Sequence, residues 1–227
     1  MAASTAWEVN GGAYAMRLDG IDDGLIAGTA SQLPISRVYA FGCWARLDNA
    51  AGTNRLAIVW DTVSGVNQRT FQLNVDANTF QGDWQATSGN AVTPTFISSA
   101  KTIASNRWYH FWMQYNAVTQ TREIYLDGNL EASTSQASIW QGATTTRFTW
   151  FYLGARVGDP AVAYGAGYAD DIRIYDRALH PEEIRLLARY RGIAYTPARR
   201  VLYGGEGVAA VTARPWLYRR STRMIGA

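Results

Sequence analysis

The 227-residue sequence has one cysteine, Cys43, and two histidines. A single cysteine excludes intramolecular disulfides and a cysteine-based zinc site. No apolar run approaches the length that crosses a bilayer. The opening stretch, MAASTAWEVNGG, has neither the charged nor the apolar region of a secretion signal. We therefore expect no membrane span and no export through such a signal.

Aromatic residues are abundant, with nine tryptophans and thirteen tyrosines, and they recur in short segments bounded by turn residues. Many short strands without alternating helices predict an all-β fold, an antiparallel β-sandwich or jelly roll. Both faces of 108–116 are apolar, which predicts a central strand covered on both sides and a buried His110. The predicted strands begin near Ala13, Gly24, Val38, Arg55, Thr70, Phe80, Trp108, Arg122, Trp150 and Tyr168.

Two local signals are strong. Asp127 and Gly128 favour a tight turn between strands at 123–126 and 130–133, which makes Asp127 a turn residue rather than a catalytic partner of Glu123. A short helix is predicted from Pro181 to about Gly192, because two glutamates follow the proline and arginines end the segment. Either His180 or water caps this helix.

Four stretches, at 17–25, 39–48, 106–133 and 168–190, resemble in this order the laminin-G-like branch of the concanavalin A-like lectin/glucanase superfamily. The resemblance implies two antiparallel sheets packed face to face, one of them concave. It also implies that the acid-rich strand runs near the N-terminal strand and that the short helix closes one end of the sandwich. We expect a jelly-roll domain over residues 1–191.

Glycan binding and glycan hydrolysis both occur in that superfamily. Hydrolysis needs two carboxylates facing each other across a sugar, and the sequence shows no such tight alternation of acids. We therefore predict a non-enzymatic protein. Planar rings stack on sugar faces, although core packing or a subunit contact explains the same rings. The glycan-binding candidates are Trp60, Trp84, Trp140, Trp150 and Tyr164.

Two acid pairs, Asp22 with Asp23 and Asp170 with Asp171, are candidates for a structural calcium site, because calcium takes six to eight oxygen ligands. Neither pair has the spacing of a calcium loop. The favoured alternative is a β-turn at the first pair and a salt bridge from the second pair to Arg173, Arg17 or another arginine. No other cofactor is expected.

Charge is divided unevenly along the chain. Residues 1–188 carry 13 basic and 17 acidic side chains, whereas 189–227 carry 8 arginines against Glu206 alone. The basic segment is interleaved with apolar residues, so we predict a docking arm at 192–227 rather than a nucleic-acid-binding tail. Its candidate contact residues are Arg199, Arg200, Trp216, Tyr218, Arg219, Arg220 and Arg223.

These features lead to a first functional hypothesis: a virion structural protein of a tailed phage, either a head decoration or a tail or fibre component. It would be assembled in the host cytoplasm and docked on other virion proteins, or on copies of itself, through the arm. Host surface glycans are its further candidate partners. The alternatives are a stand-alone carbohydrate-binding lectin module and, third, a glycoside hydrolase.

Overall fold

The computed structural model describes residues 7–10, 13–19, 25–28, 40–61, 68–84, 96–135, 148–153 and 166–191. These residues form strands and one helix, and within them no helix is long and apolar enough to cross a membrane. The elements in chain order are β1 (Trp7–Asn10), β2 (Ala13–Asp19), β3 (Leu25–Gly28), β4 (Ala40–Leu47), β5 (Asn54–Asp61), β6 (Gln68–Asp76), β7 (Thr79–Trp84), β8 (Ile97–Thr102), β9 (Trp108–Asn116), β10 (Thr121–Leu126), β11 (Asn129–Ser135), β12 (Phe148–Leu153), β13 (Ala166–Tyr175) and α1 (Pro181–Arg189).

The strands make two antiparallel sheets. One is seven-stranded, in the order β1-β2-β13-β4-β9-β10-β11, and the other is six-stranded, in the order β3-β12-β5-β6-β7-β8. The core between them takes Phe41, Phe111 and Ile124 from the first sheet and Leu73 and Phe80 from the second. The predicted all-β jelly-roll sandwich is confirmed. So is the predicted neighbourhood of the acid-rich strand, since β13 pairs with β2.

Each strand predicted from the sequence has a counterpart in the structure, but two strands of the structure were not predicted. Neither β1 nor β8 was expected, and each lies at the edge of its sheet. In β8, buried Ile97 and Ser99 alternate with exposed Ser98 and Ala100, so the strand buries little apolar surface. An edge strand of small polar residues gives a weak strand signal.

Strand β9 is buried on both faces, as predicted. Phe111 and Met113 belong to the core between the sheets. Trp112, on the opposite face, belongs to a second apolar cluster with Ile184 and Leu187 of α1. The helix therefore lies on the outer face of the seven-stranded sheet, and this corrects the expectation that it closes one end of the sandwich.

A buried amide fixes the chain that leads into the helix. The Leu179 backbone N–H donates to Gln114 Oε1 at 2.9 Å, and Gln114 Nε2 donates to the Leu179 carbonyl at 3.1 Å. The helix then begins with a capping box: His180 Nδ1 accepts from the Glu182 N–H, and Glu183 Oε2 accepts from the His180 N–H. The sequence left open whether His180 or water caps the helix, and in the structure His180 is the cap.

The predicted hairpin turn is also confirmed. Asp127 has φ +50° and Gly128 φ +79°, between β10 and β11. Asp127 also ties the turn to β9, because its N–H donates to the His110 carbonyl at 2.9 Å and its Oδ1 accepts from the His110 N–H at 2.8 Å. Asp127 is thus a turn residue.

Gly42 on β4 leaves room for the ring of Trp112, which packs closely against it. A methyl group there would lie 2.1 Å from Trp112 Cε3 and 2.7 Å from the Phe111 carbonyl oxygen. Gly42→Ala should lower the free energy of unfolding by about 2–3 kcal/mol, because the added methyl group can be accommodated only if the Trp112 ring or the backbone of β9 shifts. Urea unfolding measures this loss. Gly52→Ala is the control, since its new methyl meets nothing nearer than 3.6 Å; equal losses in both variants would contradict the packing described.

Candidate functional site

The outer face of the six-stranded sheet carries a ladder of polar side chains on β6 and β7. Gln72 lies opposite Asp83 in the register, and Asn74 lies opposite Gln81. Gln72 Nε2 donates to Asn74 Oδ1 at 3.2 Å, and Asn74 Nδ2 donates to Gln81 Oε1 at 3.1 Å. Because side chains alternate along a strand, Gln72, Asn74 and Gln81 point away from the core that Leu73 enters. We call Gln72, Asn74, Gln81 and Asp83 the polar ladder.

The ladder is mostly buried, and only Gln81 is half-buried. The carboxylate of Asp83 turns towards the other sheet and joins the two, because its Oδ1 lies 3.2 Å from Nη1 of Arg122 on β10, which shares the core face of Ile124. Burial lowers the pKa of Arg122, and the charge of Asp83 opposes that change. Breaking a buried ion pair is strongly destabilising, so this pair ties the ladder to the sandwich.

Sequence reasoning did not select the ladder, although a signal for it exists. Polar residues alternate with core residues in QLNV at 72–75 and in FQGD at 80–83. Such alternation usually indicates only a solvated strand face. Only the tertiary structure shows that the two strands pair in this register and that most of the ladder is buried.

Three of the five predicted glycan-binding aromatics lie on strands of this same sheet. Trp60 is on β5, Trp84 on β7 and Trp150 on β12. In the register Trp60 lies opposite Trp150. Trp84 lies opposite Phe71 and two positions after Gly82, so alternation places it on the face of Leu73 and Phe80, which is the core face and not the face of the ladder. Trp140 and Tyr164 lie outside the described residues, so their predicted role stays a prediction.

The acid pair on β13 is engaged by arginines. Asp171, with φ +48°, occupies an irregularity in the pairing with β4, and its Oδ1 accepts from Arg173 Nε at 2.8 Å. Asp170 Oδ1 accepts from the Asp171 N–H at 2.8 Å, and its Oδ2 lies 3.1 Å from Arg191 Nε. The predicted salt bridge to Arg173 is therefore present.

Calcium binding remains a prediction. Asp22 and Asp23 lie outside the described residues, and so do the candidate arm residues beyond Arg191. Within the described ranges, no three His, Cys, Asp or Glu side chains group as a metal site would require. Burial raises the pKa of Asp170, and the charge of Arg191 opposes that rise.

The remaining described acids considered for catalysis serve the structure. Glu123 accepts hydrogen bonds from Gln114 Nε2 at 2.9 Å, from the Tyr125 hydroxyl at 2.8 Å and from the Thr121 hydroxyl at 3.0 Å. Asp127 holds the hairpin turn, as described above. The two acids are thus occupied separately, by different neighbours.

Cys43 and His110 are both buried. Burial raises the pKa of the Cys43 thiol to about 12, which keeps the thiol protonated and unreactive. His110 lies between Trp44 and Trp112, with ring centroids 5.5 and 5.9 Å away. Its Nδ1 has no hydrogen-bond partner among the residues that the structure describes, and burial lowers its pKa to about 3. A buried His110 was predicted, and its burial is confirmed.

The structure is a β-sandwich of two antiparallel sheets, with polar side chains on one sheet and a helix packed on the other. A family model described as the concanavalin A-like lectin/glucanases superfamily matches residues 19–185. The chain belongs to this superfamily. The resemblance found in four stretches of the sequence is thereby confirmed. No curated protein matches the chain.

Solved structures with the same fold share little sequence with the chain. The carbohydrate-binding module CBM40 of Ruminococcus gnavus IT-sialidase, bound to α2,3-sialyllactose, is 14% identical with a TM-score of 0.61, covering 77% of this chain and 97% of that one. The heptameric SAP-like pentraxin of Limulus polyphemus is 17% identical with a TM-score of 0.51, covering 67% and 70%. Trypanosoma rangeli sialidase with sialic acid is 20% identical with a TM-score of 0.59, covering 81% and 28%. These likenesses show the fold.

His110 should make the protein sensitive to mild acid. Its pKa is about 3 in the folded protein against 6.5 for an ordinary histidine, so the unfolded chain binds the proton first as the pH falls. The stability is complete above pH 6.5 and should decline by about 1.4 kcal/mol on going from pH 7.5 to 5.5. Urea unfolding at both pH values measures it. His110→Phe removes the titrating group, and the same pH dependence in that variant would refute this assignment.

Asp170 and Asp171 are paired with arginines, so we predict that calcium does not stabilise β13. We expect EDTA to leave the melting temperature unchanged and millimolar calcium not to raise it, because a ligand that binds only the folded state must raise stability. Differential scanning fluorimetry measures both. Asp22→Asn with Asp23→Asn is the companion variant: a calcium-dependent rise that this variant removes would place a site at the first acid pair instead.

Proposed function

We propose that the protein is a non-enzymatic carbohydrate-binding module that binds glycans on the outer face of its six-stranded sheet. The observation that carries the proposal is the shared location of the polar ladder and the strand positions of Trp60 and Trp150, which lie opposite each other in the register of the same sheet. Planar amides and carboxylates hydrogen-bond adjacent sugar hydroxyls, and aromatic rings stack on the apolar faces of pyranoses. Gln81 is the ladder residue within reach of a ligand, since it alone is half-buried.

The seven-stranded sheet is less suited to a glycan. Helix α1 and the Leu179 connection cover the outer side of Trp112 and Tyr125. The other sheet keeps polar side chains on its outer face. The superfamily and the sialyllactose named for the R. gnavus module support carbohydrate as the ligand class and make sialylated glycans the first probe.

Hydrolysis is the weaker candidate. Asp83, the carboxylate of the ladder, is engaged by Arg122 at 3.2 Å, and hydrolysis needs two carboxylates that face each other across a sugar. The sialidase likeness covers only 28% of the T. rangeli enzyme. Release of reducing sugar or of sialic acid from any glycan would overturn the non-enzymatic part of the proposal.

We also propose the setting inferred from the sequence, a tailed-phage virion in which the module is docked through residues 192–227. The charge division between the acidic body and the arginine-rich arm supports a docking function. Mass spectrometry of purified virions tests the setting. Finding the protein only in the soluble fraction of lysed host cells, and never in virions, would contradict it.

Glycan binding is tested on a glycan array and then by titration with the best ligand. Trp60→Ala, Trp150→Ala and Gln81→Ala should each weaken binding about tenfold or more, as loss of a stacking ring or a hydrogen-bonding amide does. Trp108→Ala is the matched control, because it removes the same ring from the seven-stranded sheet. Full binding in all three sheet variants, with folding verified by circular dichroism, would remove the six-stranded sheet as the site.

A further inference from the structure

An open groove lies between the β9–β10 turn and the connection from β13 to α1. It lies beside the seven-stranded sheet, whereas the polar ladder belongs to the other sheet. The volume of the groove is about 640 Å³, which is the size of a small-molecule site. Both walls have apolar groups, from Ala117 and Val118 of the turn on one side and from Ala178 and Pro181 of the connection on the other. Two apolar walls suit an alkyl chain between them.

The groove carries more negative than positive charge. Its lining has one guanidinium and three carboxylates, those of Arg177, Glu123, Asp176 and Glu183. Arg177 holds Glu183 in a two-pronged contact, with N–O distances of 2.8 and 2.6 Å, and its charge also attracts Asp176. One guanidinium balances only one of the three carboxylates, so two negative charges of the lining are in excess.

The other charged groups near the groove leave this excess unchanged. His180 is neutral while its Nδ1 accepts the hydrogen bond from the Glu182 N–H. Arg185 lies close enough for its charge to act on Tyr125 of the lining, but it is paired with the Glu182 carboxylate. The excess charge therefore belongs to the groove itself.

Glu123 is held in position by neutral donors. Its Oε2 accepts from Gln114 Nε2 at 2.9 Å and from the Tyr125 hydroxyl at 2.8 Å, and its Oε1 accepts from the Thr121 hydroxyl at 3.0 Å. Burial raises the pKa of Tyr125, so its hydroxyl stays protonated and remains a donor. A carboxylate has roughly four acceptor positions, so Oε1 of the half-buried Glu123 can take one more donor.

We propose that the groove binds an aliphatic diamine, with its alkyl chain between the apolar walls and its two ammonium groups facing Glu123 and Asp176. An ammonium group is a compact cation with three donors, and it suits a carboxylate that has an acceptor position left. Two excess charges favour a ligand with two ammonium groups. The lysine side chain of a partner protein would bring one ammonium group and balance half of the excess.

Isothermal titration of the full chain at low ionic strength tests the ligand, with cadaverine as the probe. Cadaverine should bind, and added salt should weaken its binding, because the attraction is between charges. The neutral diol of the same length should not bind measurably. Nα-acetyl-lysine amide, with one ammonium group, should bind about tenfold more weakly than cadaverine, as loss of one charged contact does.

Three outcomes of this titration would overturn the proposal. Absence of cadaverine binding would remove the site. Equal affinity for the diol would show that only the apolar walls bind. Equal affinity for the lysine derivative would make a lysine side chain, and not a diamine, the occupant.

Variants test whether the binding takes place in the groove. Asp176→Asn, on an exposed side chain, should weaken cadaverine binding about threefold, and Glu123→Gln about tenfold, because Glu123 is half-buried. The glutamine can keep its oxygen towards Tyr125 and donate its amide to the Thr121 hydroxyl, which also accepts. Asp76→Asn, at the end of β6, is the matched control and should leave the affinity unchanged. Undiminished binding in both groove variants, with folding verified by circular dichroism, would refute the proposal.

Discussion

The side chain of Gln114 makes the contact on which the outer side of the seven-stranded sheet depends. Its amide satisfies both backbone groups of Leu179 and donates to Glu123, and its oxygen also accepts from Trp112 Nε1. A buried backbone group left without a partner costs about 1–3 kcal/mol, so this pairing fixes the entry to α1. The helix can then cover Trp112, which otherwise would face water.

Because α1 packs on the seven-stranded sheet, the two sheets have different outer faces. Ile184 and Leu187 pack on the seven-stranded sheet, and the Trp44 indole N–H donates to the Leu187 carbonyl at 3.3 Å. Among the residues that the structure describes, no helix packs on the six-stranded sheet that carries the polar ladder. A fold with two similar sheets thereby acquires two different surfaces, one packed against a helix and one that carries the polar ladder.

Sequence alone could predict what depends on neighbours along the chain. The bounds of β9, the turn at Asp127 and the start of α1 at Pro181 follow from alternation, turn chemistry and capping. It could not predict contacts between distant residues. Asp83 and Arg122 lie 39 positions apart, and Gln114 and Leu179 lie 65 apart. The edge strand β8 was missed for a different reason, because its small polar residues carry little pattern.

Asp170 and Asp171 also have roles that depend on contacts in the folded chain. Adjacent in sequence, they have different duties: Asp171 holds Arg173 within the irregular stretch of β13, whereas Asp170 holds Arg191 just after the helix. Arg191 is also stacked on Trp108, so its position is fixed from two sides. The acidic pair therefore sets the point at which the basic segment leaves the sheet. The two acids thus anchor one arginine inside the sheet before α1 and another directly after that helix.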